Sequence, residues 1–398
     1  MIECRTIKEM CSIVVDCPHS TPTWTATGKI VVRNNNIKNG RIDFSSPSYT
    51  DDEHFQQRIK RATPQGGDII ITREAPMGEV GMIPDGITCC LGQRMVLLRA
   101  NPDICDNYYL LYSLQSKYVQ HQISWSEGTG TTVSNLRIPH LEQLKIPYLP
   151  LSKQRQVSSI LRCLEEKAEQ NRVINDNLQQ QAAAIFRSWF VDCAPFGGKA
   201  PDEWENVTLE DITALVSRGI TPKYADDTDQ IVINQKCIRN HTIDLSLART
   251  HTPKIINEKW LRFGDLLINS TGDGTLGRAA QVWFQPKNLT VDSHVTIARP
   301  AKENLIFYIG LWGILHEKEI ESLHTGSTGQ TELPRDRVKA MELLLPDNET
   351  LDRFNGLITP MAAAIVANQE ENNRLAALRD AILPKLMSGE IDVTDIQL

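Results

Sequence analysis

The chain has 398 residues, more than one ordinary domain holds, and its 41% hydrophobic and 23% charged residues are those of a globular protein. Its 42 Lys and Arg against 49 Asp and Glu leave a formal charge of -7, which excludes a general basic coat for nucleic acid but permits one basic face on an acidic body. No run of about 18 or more apolar residues occurs, which excludes a membrane-spanning helix.

The N-terminal stretch "MIECRTIKEMCSIVV" carries acidic residues and no apolar run before a small-residue cleavage site, so it does not read as a signal peptide. The nine cysteines, at 4, 11, 17, 89, 90, 105, 163, 193 and 237, form no C-x-x-C pair and no zinc-like spacing. Free thiols in a reducing cytoplasm are the simplest account. Residues 1–150 alternate short β-rich runs, "KIVVR", "DIIIT" and "RMVLLR", with clusters of Gly, Pro, Asn and Thr. One helical patch, "NYYLLYSLQSKYVQHQI", sits among them, so the segment reads as a mixed α/β globule.

After "IPYLPLS" both Pro and Gly disappear, and residues 151–194 read as a spacer helix, running from Ser152 to Phe190 and stopped by Pro195-Phe-Gly-Gly. Its apolar positions step by four and three: Val157, Leu161, Leu164, Ala168, Asn171, Asn175, Leu178, Ala182, Ile185, Trp189. That period is a coiled-coil seam, not a wide globular face. A helix of ~38 residues is roughly 57 Å long. "PDEWEN" then reads as the turn into a second globule, residues 195–346. Residues 347–398 form a second helical region with the seam Phe354, Ile358, Met361, Ile365, Asn368, Asn372, Leu375, Arg379, Ile382, Leu386. Pro360 and Pro384 interrupt it, and Thr359 is a fitting N-cap before Pro360, so this helix is expected to start late or to kink.

The second half repeats the first. "KIVVRNNNIKNGRID" matches "QIVINQKCIRNHTID" at an offset of 201, and "GDIIITREAPMGEVG" matches "GDLLINSTGDGTLG" with one residue dropped. "CCLGQRMVLLRA" lies opposite "LTVDSHVTIARP" at an offset of 200, with Arg99 on Arg299. "EGTGTTVSNLRIPHLEQLKIPYLP" returns as "GSTGQTELPRDRVKAMELLLP" at about 199. Repeats of this order and spacing imply a tandem duplication. The fold class is therefore α+β: a mixed α/β globule plus a long helix, twice, with the helices forming an antiparallel coiled coil on a pseudo-two-fold axis. Asn171, Asn175, Asn368 and Asn372 stand at equivalent places in the two seams. They either face solvent where the seam frays, or lie in it and fix register and partner.

This organisation resembles the specificity subunit of type I restriction–modification systems over essentially the whole chain. The resemblance is carried by "DCPHSTPTW", "TREAPMGEVG", "CLGQRMVLLR", "IFRSWFVD" and "LPKLMSGEI", the last two being like the family's helix-end signatures. It implies a non-catalytic reader of double-stranded DNA. The two globules would be target-recognition domains, each reading one half of a bipartite asymmetric site. The helices would hold two methyltransferase subunits, and nuclease–translocase subunits would join for cleavage. S-adenosylmethionine, ATP and magnesium would belong to those partners, with no cofactor on this chain.

The residues themselves offer little catalysis. "GDGTLG" (Gly272–Gly277) is a literal G-x-G-x-x-G, but a dinucleotide fingerprint must open a helix, and the strand-like "RAAQVWF" follows it. A tight turn is the expectation. No H-E-x-x-H, Walker lysine or Asn-Pro-Pro-Tyr-like motif is present, and His251 and His294 read as isolated surface or strand residues. No metal ligand set or catalytic residue is assigned.

The candidates for DNA contact are the Gly/Thr loop, Thr129, Gly130, Thr131 and Thr132, and its second copy, Thr328, Gly329, Gln330 and Thr331. Such a loop is either plain flexible surface or a place where backbone N–H groups and hydroxyls approach phosphates and base edges. Arg73 and Arg94 join it in the first half; Asn269, Thr271 and His294 occupy the equivalent region of the second. Two other readings stand beside this one. A nucleotide-dependent enzyme using "GDGTLG" would bind dinucleotide or S-adenosylmethionine alone. A duplicated protein-binding scaffold would show no salt-dependent, sequence-selective DNA binding.

Overall fold

A Gly-Asp pair opens the central strand of each globule: Gly67-Asp68 before Ile69–Thr72, and Gly264-Asp265 before Leu266–Asn269. Each glycine turns the chain at positive φ, +83° and +89°, where a side chain is strained. The structure, a computed structural model, describes residues 3–38, 40–125, 135–272, 274–326 and 331–393. The chain forms two compact units, one of Met1–Glu169 with Asn373–Leu398 and one of Gln170–Asn372.

In the first unit a four-stranded antiparallel sheet consists of β1 (Cys11–Asp16), β2 (Ile69–Thr72), β3 (Val80–Met82) and β4 (Met95–Ala100), in the order β1-β4-β2-β3. The run "III" of β2 is continuous because both faces are covered. Ile69 and Ile71 enter the core that holds Tyr109, Leu110 and Val119 of two short helices. Ile70 enters the core under a three-stranded sheet of Ser48–Thr50, Lys29–Val32 and Cys89–Leu91. Alternate residues of one strand thus feed two cores, as the two-residue period of a strand requires.

The second unit has the same plan. Its sheet is β5 (Thr213–Arg218), β6 (Leu266–Asn269), β7 (Ala279–Gln281) and β8 (Val295–Pro300), in the order β5-β8-β6-β7. Arg249–Thr250, Ile231–Ile233 and Leu289–Val291 make its three-stranded sheet. Register matches as well as order. Val96 pairs with Asp16 and Ile71 in the first unit, and Thr296 with Arg218 and Ile268 in the second.

The two long helices are α1 (Leu151–Phe186), followed by a π-type turn over Arg187–Val191, and α2 (Asn348–Ser388). Each unit contains an antiparallel pairing of the parts it holds. In the first, Val157 and Leu161 pack with Leu383, Leu386 and Met387. In the second, Ala182 and Phe186 pack with Phe354, Ile358 and Ile365. At the end of α1 the buried positions are Ala182 and Phe186, while Ile185 and Trp189 are only partly buried. The late start expected of α2 is corrected: the helix begins at Asn348 and is continuous through Pro360 and Pro384. Its N-cap is Asp347, whose carboxylate accepts from the Thr350 backbone N–H at 2.9 Å, not Thr359. Both prolines lie on the exposed side. There water can take the carbonyl each one frees, and the ~3 kcal/mol of an interior proline is outweighed by burying Phe354, Ile358 and Ile365 at ~1.5–3 kcal/mol each. Among the described residues no helix is long and apolar enough to cross a membrane.

One ion pair appears in both units at the same place. Arg99 Nε and Nη2 reach Asp68 Oδ1 and Oδ2 at 2.7 Å each; Arg299 Nε and Nη2 reach Asp265 at 2.8 and 2.7 Å. Both carboxylates are buried, Asp265 at 0% and Asp68 at 3%, but the Arg299 side chain keeps only 7% of its surface while Arg99 keeps 25%. Replacing Arg299 by Met should therefore strand a buried carboxylate and destabilise the second unit by about 3–5 kcal/mol. Arg99→Met should have a smaller effect, because water reaches that pair. Urea unfolding of the two variants measures the difference; equal effects would mean that burial of the pair is not what sets its worth.

Candidate nucleic-acid interface

Antiparallel pairing brings one set of strand ends together in each sheet. The end of β1 (Asp16), the residues after β2 (Arg73, Glu74) and the residue before β4 (Arg94) meet at one edge of the first unit. The equivalents in the second unit are Arg218, Ser270 with Thr271, and His294. Backbone bonds confirm the equivalence: Arg73 N–H donates to the Arg94 carbonyl and Ser270 N–H to the His294 carbonyl, both at 2.8 Å.

The side chains there differ in kind. Arg94, exposed and at φ +64°, pairs with Glu74 at 3.2 Å. His294, also exposed, has its Nδ1 2.7 Å from the Thr271 hydroxyl, which in turn donates to Gln235 Oε1 at 3.2 Å. An exposed ion pair is worth little, so the Arg94 guanidinium is readily given to a phosphate or to guanine O6 and N7. A hydroxyl and an imidazole form a mixed donor and acceptor surface. The two edges thus carry different side-chain chemistry on the same backbone frame.

Two of the candidates read from the sequence are not presented outward. Arg73 keeps 11% of its side chain exposed and donates within the unit: to Asp16 Oδ2 at 2.9 Å, the Leu136 carbonyl at 3.0 Å and Asn135 Oδ1 at 3.2 Å. Asn269 is fully buried, donating to the Gln235 carbonyl at 3.1 Å. Its neighbours enclose it because it is the last residue of β6, at the centre of the sheet. Thr331 is half-buried. Thr129, Gly130, Thr131, Thr132, Thr328, Gly329 and Gln330 lie outside the described residues.

Sequence reasoning passed over several groups. Trp24 and Tyr224, 200 positions apart, are both exposed, and each has an arginine over its ring: Arg33 at 5.2 Å and Arg249 at 3.7 Å. Such stacks hold a guanidinium flat beside a face that sugars and bases also stack on. The offset was the available signal. Of "GDGTLG", Gly272 and residues 274–277 lie between β6 and β7, which pair directly, so the motif leads into a strand and not a helix.

In the helix pair, Asn171 Nδ2 donates to Asn372 Oδ1 at 3.0 Å and to Glu371 Oε2 at 2.7 Å. Asn368 Nδ2 donates to Asn175 Oδ1 at 2.8 Å. Asn171 and Asn175 are buried and Asn368 and Asn372 half-buried. All four therefore lie in the seam and bond across it.

Of the two readings of His251, surface or strand, the surface one is corrected: the residue bridges to Tyr224 and belongs to the core. It is fully buried, and neither ring nitrogen has a partner among the described residues. Burial, helped by the nearby Lys254 charge, holds its imidazole below the ordinary histidine range. The unfolded chain takes up this proton near pH ~6.5, the folded unit only at lower pH. The stability of the second unit is thus whole above pH ~6.5 and falls as the pH drops below it, by at most ~1.4 kcal/mol for each step of one in pH. His251→Phe should remove that part of the slope in denaturant midpoints between pH 7.5 and 5; an unchanged slope would show that His251 titrates alike in both states.

Residues 3–180 match the model of the type I restriction modification DNA specificity domain. The specificity subunit of the type I restriction enzyme MjaIX of Methanocaldococcus jannaschii is 25% identical over 357 residues, 83% of this chain and 79% of that protein. That of the HindI enzyme of Haemophilus influenzae is 21% identical over 375 residues, 75% of this chain and 80% of its own. The crystal structure of the type I restriction-modification S subunit of M. genitalium has the same fold, with a TM-score of 0.56 at 15% identity over 97% of this chain and 96% of that one. With a duplicated globule, paired helices and these relatives, the chain is similar over most of its length to the specificity subunits of type I restriction–modification systems.

Proposed function

We propose that each unit reads one half of a bipartite, asymmetric site in double-stranded DNA, using the sheet edge described above. The observation that carries this reading is one frame built twice with different chemistry at the same edge: Arg94 with Glu74 in one unit, His294 with Thr271 in the other. Arg94, Thr271 and His294 meet the DNA, together with the Gly/Thr-rich segments around Thr129–Thr132 and Thr328–Thr331. The formal charge of -7 suits an acidic body that approaches phosphates only through such edges. The chain itself is a reader and not an enzyme. The helices dock two methyltransferase subunits, and nuclease–translocase subunits complete the complex. S-adenosylmethionine, ATP and magnesium act on those partners. Nine free cysteines suit work in a reducing cytoplasm.

The test is a chimaera. Exchanging residues 1–150 for those of a relative should change one half of the methylated site and leave the other as it was, read by modification-sensitive sequencing of DNA from cells that co-express the methyltransferase subunit. A change in both halves would end the modular reading.

We further propose that the seam residues Asn171, Asn175, Asn368 and Asn372 fix the helix register, and that the helices set the spacing of the half-sites. Deleting the heptad Asn171–Asn177 preserves the seam period and removes about 10 Å of helix, or roughly three base pairs. It also leaves Asn368 and Asn372 without partners, at about 1–3 kcal/mol each. Methylated half-sites should move closer together with their sequences unchanged, and leucine at positions 368 and 372 should recover part of the lost stability. Original spacing in the deletion variant would leave the helices a docking role only.

A further inference from the structure

An arginine reaches the same backbone carbonyl in both units, but from different strands. In the first unit it is Arg73, which follows β2; Nε donates to the Leu136 carbonyl at 3.0 Å. In the second it is Arg218, the last residue of β5; Nη2 donates to the Leu333 carbonyl at 2.9 Å. Leu136 and Leu333 are equivalent, since their N–H groups donate to the carbonyls of Arg73 and Ser270 at 3.0 and 2.8 Å. The strand registers make Arg218 the counterpart of Asp16 and Ser270 the counterpart of Arg73.

The carboxylate has moved as well. Arg73 pairs with Asp16 on β1 at 2.9 Å and touches the neutral Asn135 at 3.2 Å. Arg218 pairs with Glu332, and residue 332 is the counterpart of 135. Each unit therefore has one guanidinium, one carboxylate and one leucine carbonyl in one knot, with the two charged groups drawn from different places. Simple burial of an arginine would not require the same carbonyl twice. A need to hold the chain at Leu136 and Leu333 does.

We infer that Arg73 and Arg218 are positioning residues for target recognition. They clamp the chain where it returns from the Gly/Thr-rich segment to the sheet edge that carries Arg94 in one unit and His294 in the other. This rests on the DNA-reading function proposed above. A returning chain fixed before binding need not be ordered during it, so the clamp favours binding without touching DNA. It also explains why Arg73 has no free donor edge for a base.

The test uses the full chain co-expressed with the methyltransferase subunit, with half-site preferences read from methylated genomic DNA. Arg73→Ser should lower discrimination at one half-site about tenfold and leave the other intact; Arg218→Ser should do the reverse. Thermal midpoints, taken alongside, should fall for Arg73→Ser, which strands the part-buried Asp16, so discrimination is compared at a temperature where each variant remains folded. The triple variant Asp16→Arg, Arg73→Ser, Asn135→Glu rebuilds the second unit's knot in the first and should restore discrimination. The reciprocal variant Arg218→Asp, Ser270→Arg, Glu332→Asn provides the same test should the first fail to fold. Loss at both half-sites, loss at neither, or no rescue by a folded knot variant would overturn the inference. Random methylation by the wild-type complex would instead remove the DNA-reading function, and the inference with it.

Discussion

The sheet edge depends on an ion pair at the opposite end of the same strands. Asp68 stands one residue before β2, and Arg99 lies opposite it on β4, next to the pair Ile69–Leu98. A slip of one residue would part this fork and turn every side chain of β2 to the wrong face. The fork therefore fixes the register that sets Thr72 against Met95, and so places Arg73 beside Arg94. Arg299 and Asp265 do the same for Ser270 and His294. Arg299 also donates to the carbonyls of Glu258 and Trp260 at 2.7 and 2.6 Å, tying a surface turn to the core. A bidentate guanidinium suits this task because its planar fork tolerates little rotation.

With one end held, the other end is free to vary. Backbone bonds at that edge repeat between the units, while the side chains change charge, size and even strand of origin. The knot around Leu136 and Leu333 marks the limit of that freedom. A carbonyl there must have its donor, but a guanidinium on a flexible stem can reach it from either flanking strand. Geometry is held at the backbone and chemistry is left to the side chains. The proposed reading of two different half-sites would need that division, since phosphate contacts must keep their place while base contacts must not.

Much of this frame was legible in the sequence. The Gly-Asp pairs, Arg99 with Arg299, and the isoleucine-rich strands lie at near-constant offsets, because the fork and the two-sided core tolerate few replacements. The continuity of α2 was not legible. The penalty of a proline is local and visible, but the packing of Phe354 and Ile365 that overrides it is tertiary. The role of Arg73 was hidden for another reason. A bare arginine after a strand reads as a free cation, and its partners Asp16 and Asn135 are 57 and 62 residues away. The burial of His251 had no signal at all, since its neighbours in "ARTHTPK" are polar.

The seam asparagines obey the same logic of fixed register. A purely leucine seam is satisfied equally well after a slide of one heptad. With Asn171 opposite Asn372 and Asn175 opposite Asn368, such a slide sets Asn171 against Ile365 and Asn175 against Met361. Each buried amide then loses its partner at about 1–3 kcal/mol, so the slid pairing is disfavoured even though its apolar contacts are as good. Replacing the amides by leucine raises stability in the correct register and in the wrong one alike. In the register role proposed for them the asparagines would trade binding strength between the helices for a single alignment, just as the forks of the two sheets admit a single strand register.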